Sequence, residues 1–470
     1  MADIISADLC VIGAGSGGLT VAAVASQLGL KTVLIERARM GGDCLNFGCV
    51  PSKALIAAAT AAEAVRRAPA FGVNAGAPQT DFARVRAHVR DVIASIAPQD
   101  SAERFEGLGV RVIAAEARFI ARDAVRAGDT TVKARRFVIA TGSSPAIPPI
   151  PGLKDARYLT NETIFDLAER PEHLIVIGGG PIGCEIAQAY RRLGARVTII
   201  EAARTLANED PELAAIVTNQ LRKDGVAILE SAKVEGVASN LTVQTSHGPI
   251  GGSHLLVATG RHANIGALDL EKAGIAHTPR GIAVNRALRS SNPRVYAVGD
   301  AAGGLQFTHL AAHHAGIVIR NALFRMPARA DAAPVPRVTY TAPELAQVGL
   351  TEQQARETYR DIRILRWPFA ENDRARAERD TAGFVKLIAN PQGRLLGAGI
   401  VGPHAGELIQ SWILPTARGM KLKDLASLIL PYPTLGEAGK RAATTFYAPQ
   451  LFAPRTKRLV RFLTRLPILG

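Results

Sequence analysis

Asp8-Leu9-Cys10-Val11-Ile12-Gly13-Ala14-Gly15-Ser16-Gly17-Gly18 is a short apolar run that breaks into a glycine-rich turn. An apolar run bounded by such a turn reads as a buried strand, here ending at Gly13, and a helix opens near Gly17. Gly13, Gly15, Gly17 and Gly18 let the backbone turn sharply and approach a pyrophosphate seated at the positive end of that helix. The next strand pattern, Lys31-Thr32-Val33-Leu34-Ile35-Glu36, closes on an acid, and Glu36 can take the ribose hydroxyls of an adenosine. Glycine spacing alone is a weak signal. Strand, glycines, helix, strand and acid in succession are a strong one.

The design recurs. His173-Leu174-Ile175-Val176-Ile177-Gly178-Gly179-Gly180-Pro181-Ile182-Gly183 is again strand then turn, with Gly178, Gly180 and Gly183 supplying the spacing, and Arg196-Val197-Thr198-Ile199-Ile200-Glu201 again ends on an acid. Two such units imply two dinucleotides, one held as a prosthetic group and one used as a substrate. A carboxylate at Glu201 hydrogen-bonds the 2′-hydroxyl of NADH and repels the 2′-phosphate of NADPH. Arg204, three residues on, pulls the other way, because a guanidinium pairs with phosphate; the balance is read as favouring NADH.

Between the two units lies Gly41-Gly42-Asp43-Cys44-Leu45-Asn46-Phe47-Gly48-Cys49-Val50-Pro51-Ser52-Lys53. Two thiols with four residues between them, just after a nucleotide-binding unit, can relay two electrons between a flavin and an external acceptor. The chain has only four cysteines, too few for a disulfide scaffold at this length. Cys10 and Cys184 read as small buried residues.

On these thirteen residues the chain resembles the class I pyridine nucleotide–disulfide oxidoreductases, which include lipoamide dehydrogenase, glutathione reductase and mercuric reductase. The resemblance runs from about Asp8 to about Ala443. It implies an α/β fold of two nested Rossmann-like dinucleotide-binding domains plus a C-terminal α+β dimerisation domain. The expected boundaries are 1–148 and 272–340 for the two parts of the FAD-binding domain, 149–271 for the NAD(P)-binding domain and 341–470 for the interface domain. FAD is expected in the first fold and NAD(P)H in the second. Phe137-Val138-Ile139-Ala140-Thr141-Gly142 and Leu255-Leu256-Val257-Ala258-Thr259-Gly260 are similar to the family's paired strands ending in Ala-Thr-Gly, which brings in Thr141, Gly142 and Gly260. Val295-Tyr296-Ala297-Val298-Gly299-Asp300-Ala301 is similar to the strand whose closing aspartate, Asp300, binds the flavin ribityl chain. A helix from near Thr308 is expected to point its N-terminus at the flavin pyrimidine.

The resemblance also implies roles. Cys44 and Cys49 form a redox-active disulfide. Cys49 lies against the flavin as the charge-transfer thiolate, and Cys44, nearer solvent, exchanges with substrate. Pro51 can begin the helix after Cys49, leaving that thiolate at a helix N-terminus. Lys53 brings its ammonium near flavin N5 and pairs with Glu185.

The departure is at the C-terminal end. Family members acting on thiols carry His-Pro-Thr followed by a glutamate, and this pair moves protons for the dithiol. Here Pro431-Tyr432-Pro433-Thr434-Leu435-Gly436-Glu437 keeps Glu437 but puts Tyr432 in place of the histidine. Tyrosine, with an ordinary pKa near ~10 against ~6.5 for histidine, is a poor base at neutral pH. Fast dithiol turnover is therefore not expected. A tyrosine near this place also occurs in mercuric reductase, where soft Hg(II) favours thiolates. No cysteine follows Cys184, so that family's C-terminal cysteine pair is missing and efficient mercury handling is not expected. No resident metal site is assigned.

Bulk properties set the remaining bounds. At 470 residues the chain suggests about three domains, and 47% apolar residues with 5% aromatics supply ordinary cores. The start shows no signal-peptide pattern, and no unbroken apolar run reaches the ~18 residues of a membrane span, so a cytoplasmic location is expected. The net charge of +15 is mostly arginine spread along the chain, with no nucleic-acid motif. It reads as attraction for anionic cofactors rather than nucleic-acid binding. In the tail, residues 455–466, Arg458, Arg461 and Arg465 share one helical face while Leu459, Phe462, Leu463 and Leu466 fill the other. Such a helix can lie on an anionic membrane or pack on its own dimer.

The reading is a homodimeric FAD flavoprotein passing electrons from NADH through Cys44–Cys49 to a disulfide, dithiol or thiophilic acceptor. Two alternatives stay open: a membrane-surface NADH:quinone-type flavin reductase, and a redox-sensing FAD/NAD-binding protein with negligible turnover.

Overall fold

A computed structural model describes residues 3–330 and 334–467. The chain divides into two compact units, one of residues 1–203 and 225–332, the other of residues 204–224 and 333–470. Segment 204–224, which the sequence reading kept inside the NAD(P) domain, clusters with the C-terminal residues.

The first unit opens with β1 (Asp3–Ile12), α1 (Ser16–Gln27) and β2 (Thr32–Glu36), as the glycine pattern requires. The thiol-bearing helix α2 (Cys49–Arg67) follows, then β3 (Arg111–Ala114), β4 (Ala117–Ala121), β5 (Ala124–Ala127) and β6 (Thr130–Ile139). Sheet order is β3-β2-β1-β6-β5-β4, with β3, β2, β1 and β6 parallel. Parallel strands covered on both faces need apolar residues at every position. Accordingly Cys10, Ile12, Val33, Ile35 and Phe137 pack in a core on one face, and Leu9, Val11, Leu34 and Val138 in a core on the other.

A second parallel sheet repeats the plan with β7 (Tyr158–Leu159), β8 (His173–Ile177), α3 (Pro181–Arg192), β9 (Arg196–Ile200), β10 (Ala227–Leu229) and β11 (His254–Val257), in the order β10-β9-β8-β11-β7. The chain then returns to the first sheet, where β12 (Val295–Ala297) pairs in parallel with Phe137–Ile139 of β6 and leads into α4 (Thr308–Val318). The second fold is thus inserted within the first.

In the second unit, β13 (Arg337–Thr339), β14 (Glu344–Gly349), β15 (Arg363–Pro368), β16 (Phe384–Ala389) and β17 (Leu395–Gly402) form an antiparallel sheet of order β13-β14-β17-β16-β15. The hairpin between β16 and β17 turns through Asn390–Gly393, closed by the Gly393 amide on the Asn390 carbonyl. β16 is buried along nearly its whole length, Lys386 included. Lys386 can be buried because its ammonium is neutralised by Asp210 at 2.8 Å, Glu212 at 2.9 Å and Glu352 at 2.8 Å. α5 (Glu437–Thr445) packs on the sheet through Ala438 and Ala442, and α6 (Pro454–Leu463) ends the described tail.

Among the described residues one helical stretch, Gly42–Phe71, is long and apolar enough to cross a membrane. It is the stretch that carries the thiols. Its buried Pro51, Ala54, Leu55 and Ala59, and an ion pair from Lys53 to Glu185, seat it in the first unit.

Candidate active site

The two glycine turns are built alike. Gly13 has φ +104° and Gly178 φ +112°, and a side chain at either would run into a carbonyl, of Ala140 or of Ala258 respectively. Those alanines begin the two Ala-Thr-Gly strand ends, so each such end is seated against the first glycine of its own turn. Gly18 and Gly183 are blocked in the same way by the carbonyls of Gly13 and Gly178. By contrast, the position at Gly180 is open, and at Gly15 only Gly42 comes near, at 3.9 Å. These are the faces on which a pyrophosphate can approach the backbone. Each turn also holds its acid. Glu36 accepts from the amides of Ala14 (2.6 Å) and Ala38 (2.8 Å), and Glu201 from those of Gly179 (2.7 Å) and Ala203 (2.9 Å).

A cavity of ≈800 Å³ opens on the first turn, lined by Gly13, Gly15, Glu36, Thr141, Gly142 and Ser143 among others. The Thr141 hydroxyl is buried there without a hydrogen-bond partner. Asp300 takes a 2.5 Å hydrogen bond from Ser143, and burial raises its carboxyl above the usual range. An open glycine turn, an acid held by two amides, a spare buried hydroxyl and a half-buried aspartate fit FAD.

Sequence reasoning missed the polar web beside this cavity. Arg261 bonds Ser143 through Nε (2.7 Å) and Nη2 (2.8 Å) and pairs with Asp43 at 2.9 Å. Asn161 donates to Asp43 and to the Phe47 carbonyl. The one signal for Arg261 was its place directly after the second Ala-Thr-Gly.

Cys44 sits on the short helix Gly42–Asn46, and Cys49 opens α2, two residues before the start expected at Pro51. Pro51 still falls in the first turn, where its missing N–H costs no intrahelical bond. Both thiols are free, and the Cys49 sulfur lies 3.3 Å from the Thr308 hydroxyl at the start of α4. A hydrogen bond from the Cys44 thiol, helped by Thr308 and the positive charge of Lys53, lowers the Cys49 pKa to about 6 against the opposing effect of burial. Cys44 is correspondingly raised and stays protonated at neutral pH. One thiolate is thus sharply distinguished from its neighbour.

Lys53 lies 2.8 Å from Glu185 of α3, which joins the helix of the thiols to the helix of the second glycine turn. Exposure differs from expectation: Cys49 is exposed and Cys44 is half-buried. Cys44 instead lines a separate ≈410 Å³ pocket with Thr20, Ile96, Asp100, Arg104 and Phe105. The other two cysteines are fully buried, and burial pushes both thiols up.

Tyr432 and Glu437 lie in the second unit, and the structure assigns each a partner there. The exposed Tyr432 hydroxyl donates to Asp373 at 2.8 Å, which raises its pKa further. Glu437 was expected to stand ready for an imidazole, but its carboxylate is taken by Arg441 at 2.8 Å, one helical turn away on α5.

Such an arrangement defines a flavin-dependent dithiol oxidoreductase with a second nucleotide site. Residues 7–315 match the pyridine nucleotide-disulphide oxidoreductase family and residues 335–443 its dimerisation domain. The chain belongs to this family. It is an FAD-dependent enzyme that carries electrons between a pyridine nucleotide and a disulfide centre, and its C-terminal unit contains the family's dimerisation domain. It is 36% identical to mercuric reductase of Streptomyces lividans and 36% to dihydrolipoyl dehydrogenase of Geobacillus stearothermophilus, in each case over 93% of this chain and 96% of the relative. Among solved structures it resembles the HOCl-induced flavoprotein disulfide reductase RclA from Escherichia coli, with TM-score 0.85 and 30% identity over 93% of this chain and 99% of that one.

The asymmetry of the thiols has a spectroscopic consequence. In holoenzyme reduced to the dithiol, long-wavelength absorbance from a thiolate against the flavin should be full well above pH 6 and fade as pH drops through about 6, where Cys49 takes up its proton. A pH titration of that band checks this; a band undiminished well below that pH would show that Cys49 is not the thiolate.

Proposed function

We propose that the enzyme takes electrons from NADH and delivers them through Cys49 and then Cys44 to a small disulfide or thiophilic acceptor in the cytoplasm. The observation that carries this reading is the thiol pair itself, with Cys49 held as thiolate by Cys44, Thr308 and Lys53. Bound FAD supplies the two-electron relay between nicotinamide and sulfur. The protein's part is to hold the dinucleotides at Gly13, Gly15, Gly17 and Gly18 and at Gly178, Gly180 and Gly183. Glu36 and Glu201 would take the riboses, and Asp300 with Thr141, Gly142 and Gly260 would hold the flavin. Lys53, paired with Glu185, sets the charge beside Cys49. The pocket at Cys44 supports exchange at that sulfur, and its modest volume favours a compact acceptor. Steady-state NADH oxidation across disulfides including lipoamide, Hg(II), Cu(II) and quinones, with and without Cys44, tests the assignment.

The contacts of two residues support NADH over NADPH. Glu201 is clamped by two amides in a fixed orientation, and the Arg204 guanidinium is occupied by the carbonyls of Ala207 and Glu209, both at 3.2 Å. Wild type should prefer NADH in kcat/KM. Glu201→Ala should narrow that preference by roughly tenfold or more, because a hydrogen bond to a charged group is worth about 1.5–3 kcal/mol. A wild-type preference for NADPH would overturn the assignment.

A further inference from the structure

After Glu437 the chain carries Lys440, Arg441, Arg455, Lys457, Arg458, Arg461 and Arg465 and not one acidic residue. The dimerisation match ends at residue 443, so α6 lies beyond the segment that the family shares. Pro454 at the first helical position starts it cleanly. None of its residues is buried. At 3.6 residues per turn, Leu459, Phe462 and Leu463, with Leu466 in the closing turn, fall on one side, while Lys457, Arg458, Arg461 and Arg465 fall on the other. The apolar side is bare: Phe462 is 62% exposed and Leu459 54%. Leu451 and Phe452, just ahead of the helix, extend the exposed apolar surface.

We propose that α6 lies on an anionic lipid surface, with its leucines and phenylalanine at the acyl boundary and its cations among the headgroups. The charge decides between occupants. Packed against its own counterpart, this segment would meet the same seven cations and no acid, on a chain already at +15. A phosphate-rich surface is complementary to that charge. The proposal is independent of the redox reading, since none of the thiol or nucleotide residues takes part.

The test uses full-length holoenzyme and vesicles of phosphatidylcholine, alone or mixed with phosphatidylglycerol. Co-sedimentation is expected with the anionic vesicles only and should be lost in high salt. Each Lys or Arg near an anionic surface changes binding by about fivefold, so Arg458→Gln/Arg461→Gln should weaken it by about 25-fold. Phe462→Ser/Leu463→Ser should remove binding although the charge is intact. NADH oxidation in solution should be the same in both variants, which shows that they fold. Equal binding to neutral vesicles, no binding to either kind, or binding indifferent to both variants overturns the proposal. A change of oligomeric mass in Phe462→Ser/Leu463→Ser, without vesicle binding by wild type, would assign the face to a second copy instead.

Discussion

Cys44→Ser enzyme should still be reduced by NADH yet lose transfer to disulfide acceptors by on the order of 10³-fold or more, the scale on which removal of an essential nucleophile is felt. Serine preserves the shape of the short helix but cannot form the mixed disulfide through which exchange proceeds. The same variant should show the long-wavelength band before any reductant is added, because Cys49 then has no sulfur to pair with and remains a thiolate. Cys49→Ser should abolish the band. Anaerobic titration of wild type should consume more than one two-electron equivalent of NADH, since flavin and disulfide both accept; each serine variant should stop at one. If Cys44→Ser reduces its acceptor at the wild-type rate, electrons leave from the flavin directly, and the quinone-type alternative replaces the disulfide relay.

Tyr432→His should accelerate oxidation of dihydrolipoamide by about 10²-fold or more, within the range a positioned general base contributes. In wild type the phenol is a poor base for two reasons: its ordinary pKa is high, and its hydrogen bond to Asp373 raises it further. The carboxylate needed to orient an imidazole is present at Glu437. Its engagement with Arg441 is a surface pair one turn apart on a helix, a kind of contact worth only about 0.3–0.5 kcal/mol, so an imidazole N–H can compete for it. Reduction of the enzyme by NADH should be unchanged, which distinguishes a restored base from a general gain. If wild type already turns over dihydrolipoamide at ~10 s⁻¹ or faster, the base is another group. Of the histidines on α4, His314 is a poor choice, because burial and the neighbouring His313 lower its pKa to about 4. His309 and His313 would then be the groups to replace.

Much of this was legible because the chemistry is local. A strand, a glycine turn and an acid fall within about thirty residues of one another, and each constrains the next through backbone geometry. The thiol pair is equally compact. What escaped reading was long-range and made by solitary polar side chains. Arg261 meets Ser143 across 118 positions, and Lys386 meets Asp210 across 176. Neither pair carries a periodicity or a spacing that sequence can show. For Lys386 the local signal was misleading, since a lysine within an alternating strand reads as solvent-facing until the carboxylates that bury it are known. The seating of Ala140 and Ala258 against Gly13 and Gly178 lies between these cases: both motifs were visible, but their contact was not.

The burial of Cys10 and Cys184 bears on how long such an enzyme survives. Among its cysteines, an oxidant meets reactive sulfur only at Cys44 and Cys49, because the other two thiols are sealed from solvent and held in their unreactive protonated form. Oxidation of this pair to a disulfide, or to a sulfenic acid that condenses with its neighbour, is repaired by the next reducing equivalent. Oxidation of a sulfur in the core of either nucleotide fold would have no such remedy. For its cysteines, the fold confines oxidative wear to the one place where its own turnover can undo it.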